Sequence, residues 1–408
     1  MTTLQANKVK PFAGLNFFYM GLSNRWGSEE RTILKDCLQA SRSGAKVYLY
    51  TYKDSLLGNR AKLHDIECFY HQGKFATKFY KWHRLRKLRQ LISDLNINLV
   101  HCYDIKTLWP LCYYLRSLSL VPLVFTLGRD IKDHHRNFWF RPLIERIDQV
   151  LLSSSEQVEN VWGHMGIPPR KTDFIGFGLP VMDKSRERDK PPYRFSEDRF
   201  YIGTNLNGIE TNTRFLDTVF HSFRVMIEKG LDGKNYTFAL FNERAWNECV
   251  LTDQLRRQVK DWGLEEHVAF VGPSDIFSDQ FDVDLWLGLV RRETLEDYAV
   301  SALLVAKPVV IPRTTCSMEL FQKHGQVGET YLSGDSREIR EKCELVLRNL
   351  STYEKSLHQS FQGLAETYGA KRHEETLSKI YKKLLGRRRR LQRAKQKKAS
   401  FLKREKKA

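Results

Sequence analysis

Short, almost wholly apolar runs alternate with longer helical stretches, and this alternation is the strongest constraint on the fold. In the first half the runs lie at 15–20, 46–51, 99–102, 122–126, 149–153 and 173–177. Runs that lack a polar face are typical of parallel strands buried on both sides of a sheet. Because helical stretches such as 29–41 separate them, we predict a doubly wound α/β sheet.

The same pattern restarts after a polar segment. Residues 182–199 carry two prolines and dense charge without an apolar period, which indicates a linker. Further apolar runs follow at 199–203, 236–241, 268–272, 285–289, 308–311 and 327–332. We therefore predict two Rossmann-like domains at 1–183 and 199–370, a linker at 184–198, and a C-terminal helix with a basic tail at 371–408. Ligands of such sheets bind beyond the carboxyl ends of the strands, so an interdomain cleft is the expected site.

Basic charge is concentrated at the C-terminus. The net charge is +19, and 14 of the 67 Lys and Arg residues lie between Lys382 and Lys407 beside a single Glu. Such a segment suits an anionic membrane surface, a solubilising tail or an RNA-binding arm. A second basic stretch, 74–92, has apolar residues at helical spacing and either lies on a membrane or packs on its own sheet. Since no nucleic-acid fold signature is found, we favour the membrane and expect no specific nucleic acid.

The remaining composition points to the cytoplasm. Seven scattered cysteines form no CxxC pair, which is typical of reduced thiols and not of a metal site. The N-terminus lacks the apolar segment of a signal peptide, and no run of about 18 apolar residues predicts a membrane-spanning helix. We expect a cytoplasmic protein that visits the inner face of the plasma membrane, and no cofactor or metal ion.

Several stretches resemble the large retaining group of GT-B glycosyltransferases, the E-x7-E or group 1 family. They are GSEERTIL at 27–34, SSSEQV at 153–158, MGIPPRK at 165–171, GLEEHVAFVG at 263–272 and AKPVV at 306–310. Their order matches the family over residues 15–350. The resemblance implies the GT-B fold, in which two Rossmann-like domains face each other across a cleft. It also implies a nucleotide-sugar donor and a hexosyltransferase-like reaction with retention of configuration.

By the same resemblance, the first family glutamate falls on Glu293, our candidate catalytic residue, and the second falls on Ser301. A departing pyrophosphate needs helix N-termini, backbone amides or cations when no metal is present. Candidate donor-binding residues are therefore Gly27, Ser28, Gly203, Thr204, Arg214, Arg292, Thr294, Leu295 and Ser301. For Gly27 and Ser28 the alternative is an ordinary tight turn, and for Ser301 an ordinary helix position.

Candidate acceptor-binding residues follow the strands of the first domain. His101 and Asp104 end one strand, and Arg129 and Asp130 follow the next, where the family often has a histidine. For His101 a hydrogen-bonded structural role is an equal alternative.

The leading hypothesis is a transferase that acts on a cell-envelope glycan, such as a lipopolysaccharide, or on a lipid-linked acceptor. The family's phosphate-binding Arg and Lys are replaced by Thr204 and Thr211, and its second glutamate by Ser301. These changes motivate the alternative of a GT-B-fold binding or scaffold protein with reduced catalysis.

Overall fold

The computed structural model divides the chain into two compact units. Unit 1 comprises Met1–Gly176 and His373–Ala408, and unit 2 comprises Phe177–Arg372. The described residues are 10–23, 26–71, 87–118, 120–128, 131, 141–154, 157–181, 198–205, 213–231, 233–242, 252–272, 280–289 and 297–405.

Unit 1 contains a seven-stranded parallel sheet in its described part, in the order β3-β2-β1-β4-β5-β6-β7. The strands are β1 Asn16–Met20, β2 Lys46–Tyr52, β3 Glu67–His71, β4 Leu99–Cys102, β5 Leu123–Leu127, β6 Gln149–Leu152 and β7 Thr172–Phe174. Its helices are α1 Ser28–Arg42, α2 Leu56–Lys62, α3 at 87–94, α4 Ile105–Tyr114, α5 Arg141–Ile144 and α6 Gln157–Met165.

The sheet of unit 1 has a hydrophobic core on each face. Along β1, Phe17 and Tyr19 enter one core while Phe18 and Met20 enter the other. This explains why the strand sequences have no polar side, since successive side chains point to opposite faces and both faces are covered. In the basic stretch 74–92, Leu88 and Ile92 are buried in the core, and residues 74–86 lie outside the described segments.

Unit 2 repeats the architecture with a six-stranded parallel sheet among its described residues, in the order β10-β9-β8-β11-β12-β13. The strands are β8 Arg199–Asn205, β9 Asn235–Phe241, β10 Val268–Val271, β11 Leu285–Leu287, β12 Val309–Pro312 and β13 Gly328–Tyr331. The helices are α7 Thr213–Lys229, α8 Thr252–Asp261, α9 Asp297–Leu304, α10 Thr315–His324, α11 Ser336–Arg348 and α12 Leu350–Tyr368. The predicted pair of doubly wound domains is thus confirmed.

The last helix, α13 Ala370–Glu405, belongs mainly to unit 1. Leu384 and Leu385, which the sequence places at the end of the helical part that leads into the basic tail, are buried in the unit 1 core. From Leu391 onward the described side chains are largely exposed. The folded part of the helix therefore extends into the basic segment. No helix in the described segments combines the length and apolar character needed to span a membrane.

Candidate functional site

The candidate residues of unit 1 gather at one edge of its sheet. Strands β1 and β4 are neighbours in the sheet. The strand that follows β1 in the chain lies on one side of this pair, and the strand that follows β4 lies on the other side. Gly27 and Ser28 follow β1, and Asp104 follows β4. The Glu29 carboxylate lies about 3.1 Å from where a Cβ on Gly128 would be, so the start of α1 also reaches the end of β5. Such a switch point is where doubly wound sheets bind ligands.

The start of α1 combines open backbone with acidic side chains. Gly27 is the N-cap in an extended conformation, and it supplies no side-chain cap. Among the described residues that are not its chain neighbours, a Cβ at Gly27 would have only Glu30 Oε2 within 4 Å, at 3.4 Å. The first helical turn therefore leaves room for a bound group beside its amides. Because Glu29 and Glu30 stand in that turn, its charge favours a hydroxyl over a phosphate.

Asp104 is partly exposed and directly precedes α4. Its charge acts on Tyr52, at the end of β2, whose pKa rises to about 12 through burial and through the nearby carboxylate of Asp104. The acceptor-binding role of Asp104 stays a prediction.

His101 occupies a different environment from the one expected of an acceptor-binding residue. It is fully buried, and its Nδ1 lies 2.6 Å from the Tyr381 hydroxyl and 3.1 Å from that of Tyr103. Its Nε2 lies 2.7 Å from Thr126 Oγ1. Burial lowers the pKa of His101 to about 3, which keeps the ring neutral. These contacts fit the structural alternative that the sequence left open.

The same network continues to a buried ion pair. Tyr103 donates to Asp36 Oδ2 at 2.6 Å, and His373 Nε2 lies 2.8 Å from Asp36 Oδ1. His373 Nδ1 lies 3.3 Å from the carbonyl oxygen of Gly176. An ionised carboxylate and a carbonyl can only accept hydrogen bonds, so both ring nitrogens of His373 donate, which is the pattern of an imidazolium. The network fastens α13 to unit 1.

In unit 2 the described candidates are buried. A Cβ on Gly203 would lie 2.9 Å from both Trp286 and Val283, so core packing alone explains this glycine. Thr204 is adjacent to it in β8 and fully buried, and its Oγ1 has no hydrogen-bond partner among the residues described. Ser301 is also buried within α9, which fits an ordinary helix position better than a ribose contact.

The other candidates cannot be located in the same way. Seven residues that the sequence singled out lie outside the described residues: Glu293, Arg292, Thr294, Leu295, Arg129, Asp130 and Thr211. Arg214 is the second residue of α7, but its side chain is also outside the description. Because β8 and β11 are adjacent, the segments that follow these two strands leave from the same edge of the unit 2 sheet.

Two residues that the sequence did not single out flank Gly27. Trp26 and Glu30 are both buried, and each has a polar atom without a hydrogen-bond partner in the described part of the chain. Glu30 belongs to the GSEERTIL stretch that resembles the glycosyltransferase pattern, which is the only signal in the sequence that could have drawn attention to it.

Comparison with known proteins supports this architecture. Residues 30–180 match the sequence model of Glycosyltransferase Family 4. A solved glycosyltransferase from Rickettsia africae superposes with a TM-score of 0.74, at 11% identity, over 91% of this chain and 98% of that one. The chain has the GT-B fold. No curated protein matches this GT-B chain at a significant level.

Two further solved structures are similar to this chain in fold. Anabaena HepE, solved in complex with UDP, has a TM-score of 0.70 at 17% identity, over 90% of this chain and all of that one. UDP-GlcNAc 2-epimerase from Neisseria meningitidis, solved with UDP-GlcNAc, has a TM-score of 0.61 at 12% identity, also over 90% of this chain and all of that one.

Proposed function

We propose that this GT-B protein is a glycosyltransferase that moves a sugar from a nucleotide-sugar donor to a hydroxyl of a glycan or lipid-linked acceptor. The match of residues 30–180 to Glycosyltransferase Family 4 carries the proposal. HepE, which shares the fold, has been solved with UDP-glucose, and this supports a nucleotide-sugar donor. We assign the donor to the β8/β11 edge of unit 2 and the acceptor to the β1/β4 edge of unit 1.

In this proposal Glu293 acts at the transferred sugar, and the segment after β11 holds the donor phosphates without a metal ion. The order of strands supports it, because β11 lies beside β8 and the segments that follow both strands leave from one edge. Retention of configuration and a cell-envelope acceptor follow from the family resemblance in the sequence.

A second candidate is epimerisation of a UDP-sugar, because the N. meningitidis epimerase shares the fold over 90% of this chain. The third is a binding or scaffold protein, motivated by Thr204, Thr211 and Ser301, which stand where the family has charged residues. The family match in unit 1 favours transfer over both.

A panel of UDP-, GDP-, ADP- and CMP-sugars is expected to contain one that raises the melting temperature of the wild-type protein. At 100 times its Kd a ligand stabilises the folded state by about 2.7 kcal/mol. Glu293→Ala should lose the part of the shift that the sugar adds over the free nucleotide. Glu265→Ala, at an exposed position, is the matched control.

Three outcomes of this experiment have different meanings. If no nucleotide sugar shifts the wild type, both enzymatic candidates fail. If Glu293→Ala responds like the wild type, Glu293 does not act at the sugar. Conversion of UDP-GlcNAc into its epimer without an acceptor would favour epimerisation.

We further propose that the exposed end of α13 binds the anionic inner surface of the plasma membrane. Deletion of residues 392–408 removes eight Lys and Arg residues, each worth roughly 1 kcal/mol at such a surface. Binding to phosphatidylglycerol vesicles in a flotation assay should be lost, and binding to phosphatidylcholine vesicles should be absent in both proteins. Undiminished flotation of the truncated protein would contradict the proposal, and salt-sensitive retention on RNA by the full chain alone would support the RNA-binding alternative.

A further inference from the structure

The start of α1 holds a buried hydrogen-bond donor and a buried acceptor that are both unpaired. Trp26 is 7% exposed and Glu30 is 2% exposed. Neither Trp26 Nε1 nor Glu30 Oε1 has a hydrogen-bond partner among the described residues. Buried polar atoms are nearly always paired, because an unpaired one retains its desolvation cost. Two such atoms at the start of one helix therefore indicate a ligand that binds to the folded protein and pairs with them.

Both side chains are held at the open backbone of Gly27. Trp26 precedes this N-cap and Glu30 is the third residue of the helix, with its Oε2 folded back to 3.4 Å from the Cβ position of Gly27. The guanidinium of Arg60 lies 4.0 Å from the centre of the Trp26 ring, and the ring also packs in the core of unit 1. The indole ring is thus held in place beside the N-cap residue Gly27, with its N–H unpaired among the described residues.

The chemistry of the two atoms selects the ligand. An indole N–H only donates, and a carboxylate oxygen only accepts. A hydroxyl can satisfy both, because it accepts from the first and donates to the second. The oxygens of a fully ionised phosphate cannot donate to Glu30, while an ammonium cannot accept from Trp26. We propose that Trp26 and Glu30 bind a hydroxyl of an uncharged sugar.

This subsite deepens the proposed function and rests on it in one respect, namely that the bound sugar is the acceptor. The edge of the sheet is consistent with that role, since Asp104 follows the neighbouring strand β4. The assignment also revises the expected ligand of Gly27 and Ser28, from a donor phosphate to an acceptor hydroxyl.

Saturation-transfer NMR with the methyl glycosides of glucose, galactose, mannose and N-acetylglucosamine tests the subsite. At least one glycoside should receive saturation from the wild-type protein, and glucose 6-phosphate should receive less than methyl glucoside. Trp26→Phe and Glu30→Met should each reduce the transfer at least tenfold, whereas Glu30→Gln retains an acceptor oxygen and should keep part of it. Trp162→Phe, at a half-exposed position on α6, is the matched control.

Thermal unfolding without sugar separates a binding role from a structural one. Glu30→Met removes an unpaired buried carboxylate, so its melting temperature should rise by about 2–4 °C. A lower melting temperature for Glu30→Met would overturn the proposal, because it would show that the carboxylate stabilises the fold. Transfer that is absent in the wild type, equal in the variants, or stronger for the phosphorylated sugar would also overturn it. Equal transfer in the variants would mean that Trp26 and Glu30 hold only an ordered water.

The donor experiment keeps this inference distinct from the proposed function. The nucleotide-sugar shift should be unchanged in Trp26→Phe and Glu30→Met. If that shift occurs and glycoside binding does not depend on Trp26 and Glu30, only the subsite is overturned. If glycoside binding depends on them and no nucleotide sugar binds, the subsite is supported and the transferase proposal fails.

Discussion

Deletion of residues 373–408 is expected to leave unit 1 unable to fold. Helix α13 contributes five side chains to the unit 1 core, each at most 6% exposed: Leu377, Ile380, Tyr381, Leu384 and Leu385. Burial of each is worth about 1.5–3 kcal/mol, so their loss costs roughly 7–15 kcal/mol. This equals the whole net stability of a typical domain, about 5–15 kcal/mol. The truncated chain should appear in inclusion bodies or give a collapsed amide NMR spectrum.

A shorter deletion provides the control. Removal of residues 392–408 takes away most of the basic segment but none of the α13 side chains that the structure describes as buried. Its melting temperature should lie within about 2 °C of the wild type, since exposed positions contribute little to stability. A soluble, folded product of the longer deletion would show that α13 is not part of the unit 1 core.

The fold could be predicted because the strand pattern is local. Each apolar run is a few residues long, and burial on both faces leaves a mark that does not depend on distant partners. The role of the C-terminus could not be predicted in this way, because the density of Lys and Arg after Lys382 masks the helical spacing of Tyr381, Leu384 and Leu385. The basic residues mark the exposed side of that helix, while its buried apolar side chains determine where it packs.

The sequence predicted where the candidate site of unit 1 lies in the fold, but not what its side chains contact. Topology placed Gly27 and Asp104 at neighbouring strand ends, and the structure has them there. The role of His101 depended on Tyr381, which is 280 residues away, and no local pattern connects the two. The unpaired atoms of Trp26 and Glu30 are likewise invisible in sequence, because a missing partner is a property of packing.

The buried pair of Asp36 and His373 joins residues 337 positions apart and fixes the first turn of α13. Burial would raise the pKa of Asp36, but the charge and hydrogen bond of His373 outweigh it and lower the pKa to about 2. A carboxyl whose pKa is lower in the folded state stabilises the fold above its unfolded pKa of about 3.9. That contribution disappears as the pH falls from about 4 to 2.

Asp36→Ala is therefore expected to destabilise unit 1 by about 3–5 kcal/mol, because it removes the buried carboxylate that His373 Nε2 and the Tyr103 hydroxyl both contact. Chemical denaturation at pH 7 measures the loss. As a control, Glu375→Ala changes an exposed residue of α13, two positions after His373. It should change the free energy of unfolding by less than about 0.5 kcal/mol. Between pH 4 and pH 2 the wild type should lose stability more steeply than Asp36→Ala, since only the wild type takes up a proton at this carboxyl on unfolding. Equal stability of Asp36→Ala and the wild type at pH 7, or parallel pH profiles, would show that the pair does not hold α13 in place.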